Sequence, residues 1–307
     1  MTPTPKPCTI AAIIISAFLA SSSALAQSQN DPLVIELEAY GGRSVVPPDI
    51  IENDIDQERL EGVIGGALLA SYRNNDTRIF GSIGAEVFPT DSLLNRYSLA
   101  AGASQDVPLT DNGRVRLRLG GTFDHVLGDE GRVFTRVRAD SQLIYRHGDG
   151  HTSVGRFRYG YRDQSEDRFT GFDQTELLGE LRHTYRPRGS DTSLSVAAFF
   201  LDIDADDDRF SFQGIGARVL ARTPLGDEYI GFGRISYLSR DYEDAFSQAF
   251  PIARNDDVWR VSGGLERSVS NSIVAFGELG YIDHSSNVPV RDFAGVLGRV
   301  GIRVKLN

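Results

Sequence analysis

The chain has 307 residues, 32 basic against 42 acidic side chains, a formal net charge of −10 and one cysteine, Cys8. A single thiol excludes a disulfide framework or a multi-cysteine metal centre, and the acidic balance provides no basic footprint for nucleic acid. Hydrophobic residues make up 40%, which suits soluble and membrane proteins alike, so pattern has to decide.

The first element is a leader. Lys6 precedes an apolar run from Ile10 to Ala20, and small residues follow, ending Ala24-Leu25-Ala26. This predicts a secretory signal peptide over residues 1–26, cleaved after Ala26, because the run is short of the ~20 apolar residues a spanning helix needs. Cys8 stands before the run, whereas a lipid-attached cysteine would stand after it. The leader's only charge is Lys6, so residues 27–307 carry −11 and no cysteine.

No later segment is long and apolar enough for a transmembrane helix; Val63 to Ala70 comes nearest and is interrupted by Gly65 and Gly66. A chain that enters a membrane without such helices does so as a closed barrel, which pairs every backbone group between strands. Its signature is alternation over ~10 residues between turn signals. Val115, Leu117 and Leu119 alternate with Arg114, Arg116 and Arg118, and Val133, Val137, Ala139, Leu143 and Tyr145 oppose Arg132, Arg136, Arg138, Asp140, Gln142 and Arg146. Phe157, Tyr159 and Tyr161 then face away from Arg156, Arg158 and Arg162, as do Leu177, Leu181 and Tyr185 from Glu176, Glu180 and Arg182. A period of two places each set on its own face.

The same reading along the chain predicts about fourteen strands, at 32–42, 58–73, 77–88, 95–107, 113–126, 132–147, 151–164, 170–186, 192–203, 209–223, 228–241, 256–270, 273–284 and 293–306. Alternation blurs at Ala197 to Leu201 and at Ile230 to Tyr237, where a bulge is the expected cause. Connections after even strands are compact and turn-rich, such as Asn74-Asn75-Asp76 and Gly148-Asp149-Gly150. Those after odd strands include the longer Arg43 to Gln57 and Asp241 to Asn255 and the acidic Asp202 to Asp208. The expected fold is therefore an all-β, transmembrane, antiparallel up-and-down barrel over residues 27–307, in the outer membrane of a Gram-negative bacterium, with both termini periplasmic.

The last strand turns Val300, Ile302, Val304 and Leu306 to one face and Gly301, Arg303 and Lys305 to the other. The set Arg299, Gly301, Val304 and Leu306 resembles the C-terminal signal read by the barrel-assembly machinery, with a non-aromatic Leu306 and an extra Asn307 as departures.

If the apolar faces meet lipid, the charged faces line the lumen, because one Arg at the bilayer midplane costs ~2–4 kcal/mol. The expected lumen residues are Arg114, Arg116, Arg118, Arg136, Arg138, Arg156, Arg158, Arg162, Glu180 and Arg303. Two readings stand side by side: an eyelet favouring anionic or sugar-like solutes, and a network of internal ion pairs that rigidifies or plugs the barrel. Asp202, Asp204, Asp206, Asp207 and Asp208 lack the glycine and distal glutamate of a calcium loop, so no metal is expected. Asp283-His284 beside Ser285 and Ser286 offers a base and hydroxyls, but no second catalytic pair or oxyanion hole accompanies it. The expectation is a barrel without enzyme activity and without cofactor.

Arg254-Asn255-Asp256-Asp257, Trp259, Gly263, Leu265, Ser286-Asn287-Val288-Pro289 and Asp292-Phe293 resemble the C-terminal barrel of the surface lipoprotein assembly modifier family. The resemblance spans roughly residues 254–306 and implies transport or translocation across the outer membrane. Implied partners are membrane lipid and lipopolysaccharide, the barrel-assembly machinery, and a secreted or lipoprotein substrate. That family's periplasmic helical-repeat domain has no counterpart in this sequence. A passive porin with an arginine-lined lumen, and a surface-structural or adhesion barrel without a channel, are the alternatives.

Overall fold

The computed structural model describes residues 33–45, 60–129, 131–164 and 171–306. The signal peptide expected over 1–26, most of the Arg43 to Gln57 connection and Asn307 lie outside the described residues.

Among the described residues fourteen strands form one closed sheet. They are β1 (Leu33–Val45), β2 (Leu60–Asn74), β3 (Thr77–Val87), β4 (Arg96–Pro108), β5 (Val115–Gly128), β6 (Gly131–Gly148), β7 (His151–Gln164), β8 (Gln174–Tyr185), β9 (Ser193–Ala205), β10 (Phe212–Pro224), β11 (Tyr229–Ala245), β12 (Ala253–Ser268), β13 (Ile273–Ser286) and β14 (Phe293–Leu306). Each pairs antiparallel with its sequence neighbours, and β1 pairs with β14 through Ile35↔Leu306 to Arg43↔Gly298. Closure leaves no edge strand. It also brings the start of β1 at Leu33 and the finish of β14 at Leu306 to the same end of the barrel, where Asn75 at φ 50° and Asp149 at φ 49° make two-residue turns.

The two faces are chemically opposite. Outward positions carry Leu181, Leu279 and Val300, which are 73%, 71% and 67% exposed, while Glu36 and Glu38 point inward and are buried. A water-soluble barrel has the reverse arrangement, with a dry apolar centre and a polar skin. Tyr72, Tyr145, Tyr185 and Tyr229 stand on the outer face at the turn end, and Tyr161, Tyr237 and Trp259 toward the other end.

Three sequence expectations change. The connection expected from Asp241 to Asn255 is mostly strand: β11 and β12 continue their ladder, with a register shift between Asp241 and Ala245. The alternation of short and long connections fails at β5–β6, which only two residues join. No bulge explains the blurred segments, since β9 pairs with β8 and β10 without a register shift and β11 pairs with β10 and β12 in unbroken register through Ile230 to Tyr237. Alternation blurs there because the inner face is itself apolar, with Phe199, Leu201, Leu220, Phe232 and Leu238 at inward register positions.

Inward phenylalanines pair with glycines on the next strand: Phe80 with Gly102, Phe199 with Gly216, Phe232 with Gly264 and Phe276 with Gly301. At Gly301 an added Cβ would meet the Phe276 ring at 2.7 Å and the Tyr40 Cβ at 2.8 Å. Each ring lies over backbone that a side chain would otherwise cover, an arrangement that pins register.

Candidate functional site

The inward register places Arg116 and Arg118 (β5), Arg136 and Arg138 (β6), Arg156, Arg158 and Arg162 (β7), Glu180 (β8) and Arg303 (β14) on the inner wall. Arg114 precedes β5 by one residue and is exposed, and its carbonyl still accepts from the Arg146 N–H of β6 at 2.8 Å.

Carboxylates hold most of these guanidiniums. Asp106 bridges Arg118, at 2.5 and 2.9 Å, and Arg116, which also pairs with Asp76. Asp124 accepts from Arg138 at 2.6 Å and from Arg136 at 3.3 Å, and Glu176 takes a second contact from Arg136. Asp140 sits between Arg156 at 2.5 Å and Arg158 at 3.3 Å, while Glu180 accepts from Arg218 at 2.6 Å. Arg162 instead donates to Gln164 Oε1 and stacks over the Phe134 ring at 4.3 Å.

Arg303 belongs to a different network. It donates to Glu38 at 3.0 and 3.1 Å and to Glu266 at 3.1 Å, so β14 is tied to β1 and β12 at the closing seam. Arg299 joins it through Glu278 at 3.1 Å and Glu38 at 3.8 Å. Of the residues resembling the assembly signal, Arg299 and Gly301 therefore face inward at the seam, and Leu306 faces outward, 51% exposed.

A cavity of about 240 Å³ opens among β2 to β10. Seven arginines line it, among them Arg182, which alternation puts on the face of Glu180, and Arg78 and Arg218, which alternation alone did not single out. Arg78 is the second residue of β3 and Arg218 shares β10 with Arg222, and apolar neighbours such as Phe80 and Leu220 hide the polar stripe on these two strands. Register from the neighbouring strand would have found them: Arg78 faces Ser104 and Arg218 faces Ala197.

Part of the resemblance set, Arg254, Asn255, Asp256 and Asn287, lies together at one mouth, while Trp259 and Leu265 are exposed on the outer face. Asp256 is fully buried, 3.1 Å from both Arg240 and Arg254 and 3.3 Å from His284 Nε2. Arg254 stacks on Tyr242 at 3.8 Å, and the Asn287 side chain accepts from the Asn255 N–H at 2.8 Å. His284 points inward onto Asp256, while Asp283 and Ser285 point outward and are exposed. In the acidic loop Asp207 accepts from the Arg209 guanidinium at 2.7 to 3.0 Å, and that bond holds its carboxyl below the usual range. Among the described residues no three metal-binding side chains converge.

No family model and no curated protein matches the chain, so the resemblance rests on the residues quoted for it. Similar solved structures include outer-membrane-expressed OmpT of Vibrio cholerae, 11% identical over 91% of this chain and 99% of that one, with a TM-score of 0.47. Another is an anion-selective porin from Comamonas acidovorans, 11% identical over 89% and 99%, TM-score 0.44. A FadL homologue of Pseudomonas aeruginosa is 8% identical over 90% of each chain, TM-score 0.49. All three fall below a TM-score of 0.5, and the function argued below rests on this chain's own residues.

Proposed function

We propose that this chain is an outer-membrane barrel that passes small anionic solutes. Its outer face supports the membrane: Tyr185 and Tyr161 lie ten ladder steps apart, since Tyr161 pairs with Thr175. At ~3.3 Å per step and a tilt of ~40° that separation is about 25 Å, the height of an outer-membrane apolar band. The turn end, with its compact connections and both termini, then faces the periplasm.

The observation that carries the solute class is the charge of the inner wall. Around the cavity nine guanidiniums (Arg78, Arg116, Arg118, Arg136, Arg138, Arg156, Arg158, Arg182 and Arg218) meet six carboxylates (Asp76, Asp106, Asp124, Asp140, Glu176 and Glu180). The ion pairs stiffen the wall, and the excess of three positive charges draws anions and repels cations. Both sequence readings of the arginine stripe thus have a share. Reversal potentials in planar bilayers across a KCl gradient test the proposal: anion preference supports it, and silence or cation preference overturns it.

A second reading, translocation of a secreted or lipoprotein substrate, is favoured by one observation. Four of the residues resembling the lipoprotein assembly barrel, Arg254, Asn255, Asp256 and Asn287, come together at one mouth from β12 and the segment after β13. Loss of a surface lipoprotein's exposure on deletion of this chain, restored by the native barrel but not by Asp256→Ala, would support it.

A further inference from the structure

Resting on the channel reading, the geometry points to a saturable subsite in this lumen for a small hydroxylated dianion of the hydroxydicarboxylate or sugar-acid class. Four observations converge on the cavity.

First, its positive charge is not evenly matched. Asp106, Asp124 and Asp140 each serve two arginines, and Glu180 is 2.6 Å from Arg218 but 3.8 Å from Arg182. Arg78 has no carboxylate among the described residues, and its buried Nε finds no acceptor. A buried donor left in that state is costly until something accepts from it.

Second, the under-neutralised guanidiniums are grouped. Arg118 is an electrostatic neighbour of both Arg78 and Arg182, and Arg182 also senses Arg156 and Arg218. Arg78 on β3 and Arg182 on β8 are five strands apart on the wall and line one cavity. Two such centres with Arg118 between them match a ligand charged at both ends, and the planar guanidinium fork suits carboxylate or phosphate.

Third, the same cavity presents neutral groups between the charges: Ser82, Ser104, Thr122, Gln142 and Ser195. Hydroxyls and an amide both donate and accept, which chloride does not need and a polyol backbone does. Fourth, the volume is about 240 Å³. A cavity of ~150 Å³ holds benzene, so this one takes about ten non-hydrogen atoms. Tartrate has that size, two carboxylates and two hydroxyls.

The experiment uses the full barrel in planar bilayers, with KCl as carrier and tartrate or succinate added to one side. Tartrate is expected to reduce the current saturably and at lower concentration than succinate, which lacks the hydroxyls. Arg78→Gln and Arg182→Gln each raise the half-blocking concentration about tenfold, the scale of one lost charge-assisted contact. Asp140→Asn acts the other way: it frees Arg156 and Arg158 and lowers the half-blocking concentration. A merely structural role for these residues would move all three variants in one direction.

An anion-preferring current on which tartrate has no saturable effect overturns the subsite and leaves the channel standing. Without any current, calorimetric titration of tartrate into detergent-solubilised barrel separates the two claims. Binding weakened by Arg78→Gln keeps the subsite and sinks conduction; no binding sinks both. Equal changes in all three variants also overturn it.

Discussion

Replacing Glu38 by Gln tests the closing seam and the assignment of Arg303 together. Glu38 is 2% exposed, and its Oε2 accepts from Arg303 Nε at 3.1 Å and Nη2 at 3.0 Å, with Arg299 Nη1 3.8 Å from Oε1. The amide keeps the shape but removes the charge, and its NH₂ group turns a donor toward guanidiniums. Two charge-assisted bonds of ~1.5–3 kcal/mol each fall to roughly half. Adding the guanidinium left under-neutralised gives a loss of about 3 kcal/mol, at the lower edge of the range for a broken buried pair. Urea unfolding of barrel refolded into vesicles measures it. Arg303→Gln in the Glu38→Gln background should cost less than it does alone, because Glu266 retains Arg222 at 2.8 Å; a coupling of about 2 kcal/mol is expected. Anion preference in the bilayer should persist, since Arg303 lies at the seam and does not line the cavity among β2 to β10. A loss under ~0.5 kcal/mol, the scale of an ordinary surface substitution, would refute the seam as a staple.

Leu181→Arg, at a residue 73% exposed, should cost ~2–4 kcal/mol in bilayers. Equal stability of the two proteins in vesicles would mean that face meets water. Gly216→Val drives a side chain into the Phe199 ring and the Tyr237 carbonyl oxygen. The overpacking cost is ~1–3 kcal/mol, and Phe199→Ala should recover part of it in the double variant; additive losses would dismiss the ring-over-glycine contact. Asp207 titrates below its ordinary value of 3.8 because Arg209 donates to it. With the folded value depressed, the loop's stabilisation is present above that ordinary value and is lost as pH falls through the folded one. Carbon-13 titration of the Asp207 carboxyl should show this, and Arg209→Gln should return the value toward normal.

How much of the site alternation reveals depends on how polar each strand's inner face is. On β5 to β7 arginine falls at every second or fourth residue beside Leu, Val, Phe and Tyr, and the inner row was legible from spacing alone. On β9 to β11 the inner face carries Phe199, Leu201, Leu220 and Leu238, and both faces read as apolar. Arg218 was hidden there, although it holds Glu180 across the sheet at 2.6 Å. For Arg114, one residue before β5, parity assigns a face but does not say how exposed the side chain is at the strand's end.

On β5 to β7 the sequence by itself separated an apolar face from an arginine face, because a strand's side chains alternate strictly and a charge at the bilayer midplane is too costly to tolerate. It also determined that the sheet must close, since an open edge has no water to satisfy it within a membrane. Tertiary structure alone decided the partners. Glu38 and Arg303 are 265 positions apart and meet only because β1 pairs with β14 in one register. The same closure sorted one arginine stripe into seam staples, wall pairs and an under-neutralised pocket. Charge compensation depends on distances across the barrel, which no local periodicity encodes.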